Sequence, residues 1–155
     1  RVPSGVSDLM PVGPFRKDAD DCAAFLRDPR STRVVAVTLP EDLPVTESLE
    51  IVRVVRDDLR LPLAPLVVNQ LRPELFSDSL RARLKNLDAT VESSDERVRS
   101  TFHAAHGRAV LEGEQALQIA RLEALGLPLV RVPRLETPPE DVAGLGAIVN
   151  ALATL

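Results

Sequence analysis

The segment from Asp28 to Leu71, DPRSTRVVAVTLPEDLPVTESLEIVRVVRDDLRLPLAPLVVNQL, constrains this chain more than any other, because two short apolar runs bracket one amphipathic stretch. Arg33 to Leu39 and Leu66 to Leu71 are rich in β-branched residues and lack polar alternation, the pattern of strands covered on both faces of a parallel sheet. Between them Val45, Leu49, Val52, Val55 and Leu59 recur at three- and four-residue steps. Pro44 suits a first helical turn, and acidic residues precede basic ones along the axis. The spacing therefore predicts a strand, a crossover helix lying on the sheet, and a second strand that ends in Asn69. An amide side chain there sits where α/β sheets meet their ligands.

The remainder extends the same alternation. Residues 1–14, with Pro3, Gly5, Pro11, Gly13 and Pro14 in weakly periodic sequence, read as an irregular cut end or linker, and residues 15–155 as one unit. Phe15 to Arg27 has a helical face in Ala19, Cys22, Ala23 and Leu26, stopped by Asp28 and Pro29. Pro73 opens a helix with Leu75, Leu80, Leu84 and Leu87, broken around residues 90–94. A longer helix carries Val98, Phe102, Ala105 and Ala109, then Ala116, Leu117 and Ala120; Gly107 and Gly113 weaken its continuity and Gly126 ends it. Leu127 to Pro133 forms a third short strand, and a last helix from Glu140 carries Val142, Leu145, Ile148, Val149 and Leu152. This order predicts an α/β fold, a parallel sheet flanked by helices. Three strands make a thin sheet, whose apolar faces call for neighbours expected from an N-terminal portion. With parallel strands, the loops after Leu39, Leu71 and Val132 share the carboxyl edge, so Glu41, Asn69 and Pro133 converge on one rim. An Asn amide offers a donor beside an acceptor, the pair that matches an adenine edge, and a Pro-bounded loop offers carbonyls and an apolar surface to a ring face.

Charge and composition narrow the partners. The 155 residues are 45% apolar with a net charge of −4, and 23 Asp and Glu against 19 Lys and Arg give no general attraction to nucleic acid or anionic lipid. Basic residues are dispersed along the sequence. One cysteine, Cys22, excludes an internal disulfide framework and a Cys-rich zinc site; it reads as a small buried residue in a reducing, cytoplasmic compartment. No apolar run approaches the roughly 20 residues of a membrane-spanning helix. His103 and His106 lie three apart on a helix, but no carboxylate or cysteine is placed to complete a metal site, and a solvated face is the preferred reading. Glu41, Asp42 and Glu47 gather at a helix start, where the dipole favours acids, so no catalytic role is assigned to them.

DPRSTRVVAVTLPEDLPVTES, then VVNQ, then Arg108 to Gln115 followed by LPLVRVPRLETPPEDVAGL, together resemble the carboxyl half of the ArsA family of P-loop ATPases. That family includes arsenite-pump ATPases and ATPases that target tail-anchored membrane proteins. The likeness spans roughly residues 24 to 152, judged by motif order and spacing. It implies a partial P-loop NTPase fold that binds ATP or ADP, with Asn69 contacting adenine and Pro133, Arg134, Leu135 and Glu136 in the loop that covers the base. It implies a homodimer or pseudo-dimer with a membrane-protein client or membrane partner, no nucleic-acid partner, and anion transport or membrane-protein targeting as the work driven by hydrolysis. Thr38 to Glu41 and Glu47 also match the pattern and are assigned a structural role.

Departures from the family are equally specific. The chain has no glycine-rich phosphate loop of the form GKGGVGKT, no magnesium-holding hydroxyl at its end and no acidic switch residues, so Mg and all phosphoryl chemistry would come through the missing half, with no catalytic residue in this chain. It also lacks paired zinc-binding and arsenite-binding cysteines, and Met10 is its only methionine. Two readings stay open: the adenine-binding half of an ATPase, or a non-enzymatic interaction or regulatory module that pairs with a complete ATPase subunit. A flavodoxin-like or receiver-type domain shares the alternation, but the acidic or phosphate-binding residues it needs at the first strand ends are not evident.

Overall fold

A computed structural model describes residues 13–86, 95–135 and 142–153. Its elements run α1 (Pro14–Arg27), β1 (Val37–Thr38), α2 (Asp42–Arg53), β2 (Leu66–Leu71), α3 (Asp78–Asn86), α4 (Glu96–Glu123), β3 (Leu129–Pro133) and α5 (Val142–Leu152). The three strands form one sheet in the order β1-β2-β3, and both pairings are parallel. The chain is thus an α/β protein with a small parallel sheet flanked by helices, as the alternation predicts. Among the described residues, no helix is long and apolar enough to cross a membrane.

Strand β2 is the hub because both of its faces are covered. On one face Leu66 and Val68 pack with Val45 and Val52 of α2 and Leu122 of α4. On the other, Val67 packs with Val130 and Val132 of β3 beneath Ile148 and Ala151 of α5. Each fully buried aliphatic side chain of this kind contributes about 1.5–3 kcal/mol. Helix α2 faces the sheet as expected, with Val45, Ser48 and Val52 inward, and runs on into a single π-helical turn, Val54–Asp58, that buries Val55.

Strand β1 departs from expectation in length and in cover. Instead of a continuous run from Arg33 to Leu39, an isolated bridge pairs Val34 with Leu63, and the strand resumes at Val37 opposite Val67. The two pairings are one residue out of step, and Pro65, which has no N–H to donate, lies at the slip. Register places Val37, Val67 and Val130 in one row across the sheet. Val67 and Val130 are 4% and 5% exposed, whereas Val37 is 62% exposed, because α5 covers only the β2–β3 half of this face. Cover on both faces holds for β2 and fails for β1.

Several helical boundaries and faces also differ from the sequence expectation. Residues 73–77 are not helical; α3 begins at Asp78, with Leu84 buried and Leu75 exposed. Leu87 and the break at 90–94 lie outside the described residues. Helix α4 is unbroken through both glycines, and Gly126, at φ 70°, follows its end in the left-handed region that favours glycine. Gly113 lies where a side chain would meet the Lys85 ammonium reaching over from α3. The buried stripe of α4 is Ala109, Glu112, Gln115, Gln118 and Leu122, while Leu117 and Ala120 point outward. In α5 the residues that meet the sheet are Ile148 and Ala151, with Leu145, Val149 and Leu152 exposed. Helix α1 adds no residue to either core cluster, so Cys22 is exposed, contrary to the buried position expected of it.

Candidate functional site

Parallel strands bring the segments after Thr38, Leu71 and Pro133 to one edge of the sheet. Strand β2 runs two residues past Asn69, the end expected from the sequence, and its last residue Leu71 is paired with Pro133, so both sequence-marked positions lie at the same end of neighbouring strands. Between Val68 and Leu71 the register shifts, because β2 takes one residue more than β3 over the same interval. Gln70 fills that bulge at φ 60°, a left-handed conformation that costs a non-glycine residue about 1–2 kcal/mol. The Gln70 N–H donates to Asn69 Oδ1 at 2.9 Å. That leaves the amide nitrogen of Asn69 and one lone pair of its oxygen for other partners.

The bulge also explains where Leu71 goes. Strict alternation from Val68 would send it to the α5 face, yet it packs beside Val68 and Leu66 on the α2–α4 face. Downstream, α4 holds the segment from Arg72 to Phe76 by side-chain bonds to backbone. Gln115 accepts from the Arg72 N–H at 3.0 Å and donates to the Arg72 carbonyl at 3.0 Å. Glu112 accepts from the Leu75 N–H at 3.0 Å and the Phe76 N–H at 3.3 Å. The Arg108 Nε donates to Glu112 at 2.8 Å, and its Nη2 donates to the Pro73 carbonyl. Burial works to raise the Glu112 pKa, but the N–H bonds from Leu75, Arg108 and Phe76 outweigh it and hold the carboxyl below its ordinary value. The carboxylate is therefore ionised at neutral pH while only 2% exposed.

Two cavities open on this edge and a groove lies beside them. The larger, about 530 Å³, has Glu41, Gln70, Arg72, Gln115 and Arg134 in its wall. A second, of about 340 Å³, is walled by Arg72, Pro73, Leu75, Arg108 and Arg134. Asn69 opens instead into a groove of about 230 Å³ beside β1, together with Val37, Leu39, Pro44 and Ile51. The structure thus brings Glu41 and Arg134 to one cavity and sets Asn69 in an adjoining groove. Pro133 is exposed at the end of β3, Leu135 is half-buried just beyond it, and Glu136 lies outside the described residues.

Other marked residues have local roles. Asp42 in the first turn of α2 pairs with Arg121 of α4 at 2.6 Å, and Arg121 also donates to Thr46 at 2.9 Å, which ties the two helices together. The Phe102 ring meets His103 edge-on and stacks on His106, with centroids 6.3 and 6.5 Å apart. Among the described residues no group of three or more metal-binding side chains gathers. Sequence reasoning missed Glu112 and Gln115 as the clamp on the Arg72–Phe76 segment; the available signal was a run of polar residues at helical spacing, Arg108, Glu112 and Gln115, on the stripe that also carries Ala109 and Leu122. No protein-family model matches the chain, and no curated protein matches it.

Proposed function

We propose that this chain is the adenine-binding half of an ATP-binding, ATP-hydrolysing ATPase of the ArsA kind, with a partial P-loop NTPase fold, that works in the cytoplasm on anion transport or membrane-protein targeting. The observation that carries this reading is directional: Asn69, near the end of β2, and Pro133, the last residue of β3, lie on adjacent parallel strands at the same edge, with the amide nitrogen of Asn69 uncommitted. Asn69 would read the base, with Pro133, Arg134, Leu135 and Glu136 in the covering loop. Mg and the hydrolytic groups would be supplied by the phosphate-loop half, and two subunits or pseudo-subunits would repack as ATP replaces ADP. Among the described residues β1 is an edge strand and its Val37 is exposed, which supports further strands there in the complete ATPase.

Titration of this chain with a fluorescent ATP analogue tests the reading. Asn69→Ala should weaken binding by about 1–3 kcal/mol, the worth of a two-bond contact to a base edge. Unchanged affinity, or equal affinity for ATP and GTP, overturns the adenine role. The second reading, a non-enzymatic module docking on a complete ATPase subunit, is favoured by the lack of any glycine-rich phosphate loop among the 155 residues. It predicts no adenine preference.

A further inference from the structure

In a chain with a net charge of −4, three guanidinium groups from distant parts of the sequence share one small cavity. Arg72 follows β2, Arg108 lies on α4 and Arg134 follows β3, and their cavity of about 340 Å³ is completed by Pro73 and Leu75. No carboxylate stands in its wall among the described residues. Glu112, the nearest acid to Arg108, is spent on the Leu75 and Phe76 N–H groups and on the Arg108 Nε. Arg108 is thereby fixed in place. Arg72 is fixed differently: its backbone N–H and carbonyl are both held by Gln115, and the residue, like Arg134, stands in the wall shared with the larger cavity, where Glu41, Asp42 and Glu114 also lie. Among the described residues, neither the Arg72 nor the Arg134 guanidinium has a carboxylate within ion-pair distance.

Glu112 offsets the charge of Arg108, which leaves the Arg72 and Arg134 guanidinium groups as the cations of this wall without an ion pair among the described residues. Like charges brought together raise one another's energy unless an anion offsets them. The Arg72 and Arg134 guanidinium groups are of the type that recognises a phosphoryl group in a bidentate manner, and its charge, about two negative units at neutral pH, calls for at least two cations. Arg108, held by Glu112 and the Pro73 carbonyl, adds a fixed positive edge. Pro73 and Leu75 supply an apolar wall for whatever carries the phosphoryl group. We propose that Arg72, Arg108 and Arg134 form a binding site for the phosphoryl group of a small phosphorylated molecule. The site does not include Asn69, whose side chain opens into the neighbouring groove, and it does not depend on a base being read there.

Calorimetric titration of the chain with pyrophosphate, which has no base, tests this. Saturable binding is expected, weakened about tenfold by Arg72→Gln and again by Arg134→Gln, the loss of a charge-assisted bond in each case. Neither substitution should lower the thermal unfolding midpoint, because neither guanidinium bonds to the rest of the described fold. Arg134→Lys keeps the charge but loses the fork, and should recover only part of the affinity. Asn69→Ala should leave pyrophosphate binding unchanged, which separates this site from the adenine reading. Absence of saturable binding, affinity unchanged in the double variant, or tighter binding of succinate than of pyrophosphate overturns the proposal.

Discussion

Glu112 is buried with a negative charge, and its worth to the fold depends on pH in a defined direction. Its carboxyl is held below the ordinary range in the folded state, so its contribution is complete above the unfolded pKa and disappears as pH falls through the folded one. Replacing it strands two backbone N–H groups and the Arg108 Nε, and the Arg81 Nη1, 3.9 Å away, has no other acceptor among the described residues. Glu112→Gln should cost about 1.5–3 kcal/mol at neutral pH, the range for bonds to a charged group. Measured by urea unfolding, the gap between wild type and variant should narrow as pH is lowered below about 4.3, where a free glutamate protonates. An equal gap at pH 7 and pH 3.5 would show that the charge is not what holds the segment.

Helix α4 shows how far a periodic reading reaches. Its apolar residues Ala116, Leu117 and Ala120 suggested one face, but the fold turns Glu112, Gln115, Gln118 and Leu122 inward, because the Arg72–Phe76 segment needs polar partners. Leu122→Ala should therefore destabilise by about 3 kcal/mol, as deletions in close-packed cores do. Leu117→Ala should stay within about 0.5 kcal/mol, since Leu117 is 60% exposed. Thermal unfolding of the two variants reads out the rotation of the helix directly; comparable losses would restore the apolar-face assignment. The strand–helix–strand unit was legible because Val45, Val52 and Val55 keep their spacing and β2 is covered on both sides. The late start of α3 was not, since the Leu75 and Phe76 N–H groups are claimed by Glu112 and the Pro73 carbonyl by Arg108, both more than thirty residues away. Nor was the arginine cavity, because Arg72, Arg108 and Arg134 look dispersed until three elements are brought to one edge. Asn69 and Pro133 could be placed at that edge from strand order alone, but the bulge at Gln70 and the separate groove that Asn69 lines leave no hydrophobic trace.

For the molecule as a whole, cover is lopsided: α2 and α4 close one face of the sheet, α5 closes half of the other, and Val35 and Val37 face outward, 45% and 62% exposed. Exposed valines on a strand that is an edge among the described residues promote association. Val37→Lys should leave the unfolding free energy within about 0.5 kcal/mol while lowering self-association in sedimentation experiments. A loss above about 1.5 kcal/mol would mean that this face is covered when the chain is alone in solution. The surplus residue at Gln70 has a consequence of another kind. Connecting segments usually tolerate insertions and deletions, since their length sets little else. Here a deletion has a defined outcome: without Gln70, β2 takes two residues where β3 takes two, so Leu71 stays opposite Pro133 and on the face of Val68 while the left-handed residue is gone. The strand can therefore lose this one residue and keep its pairing, shedding the backbone strain that Gln70 carries.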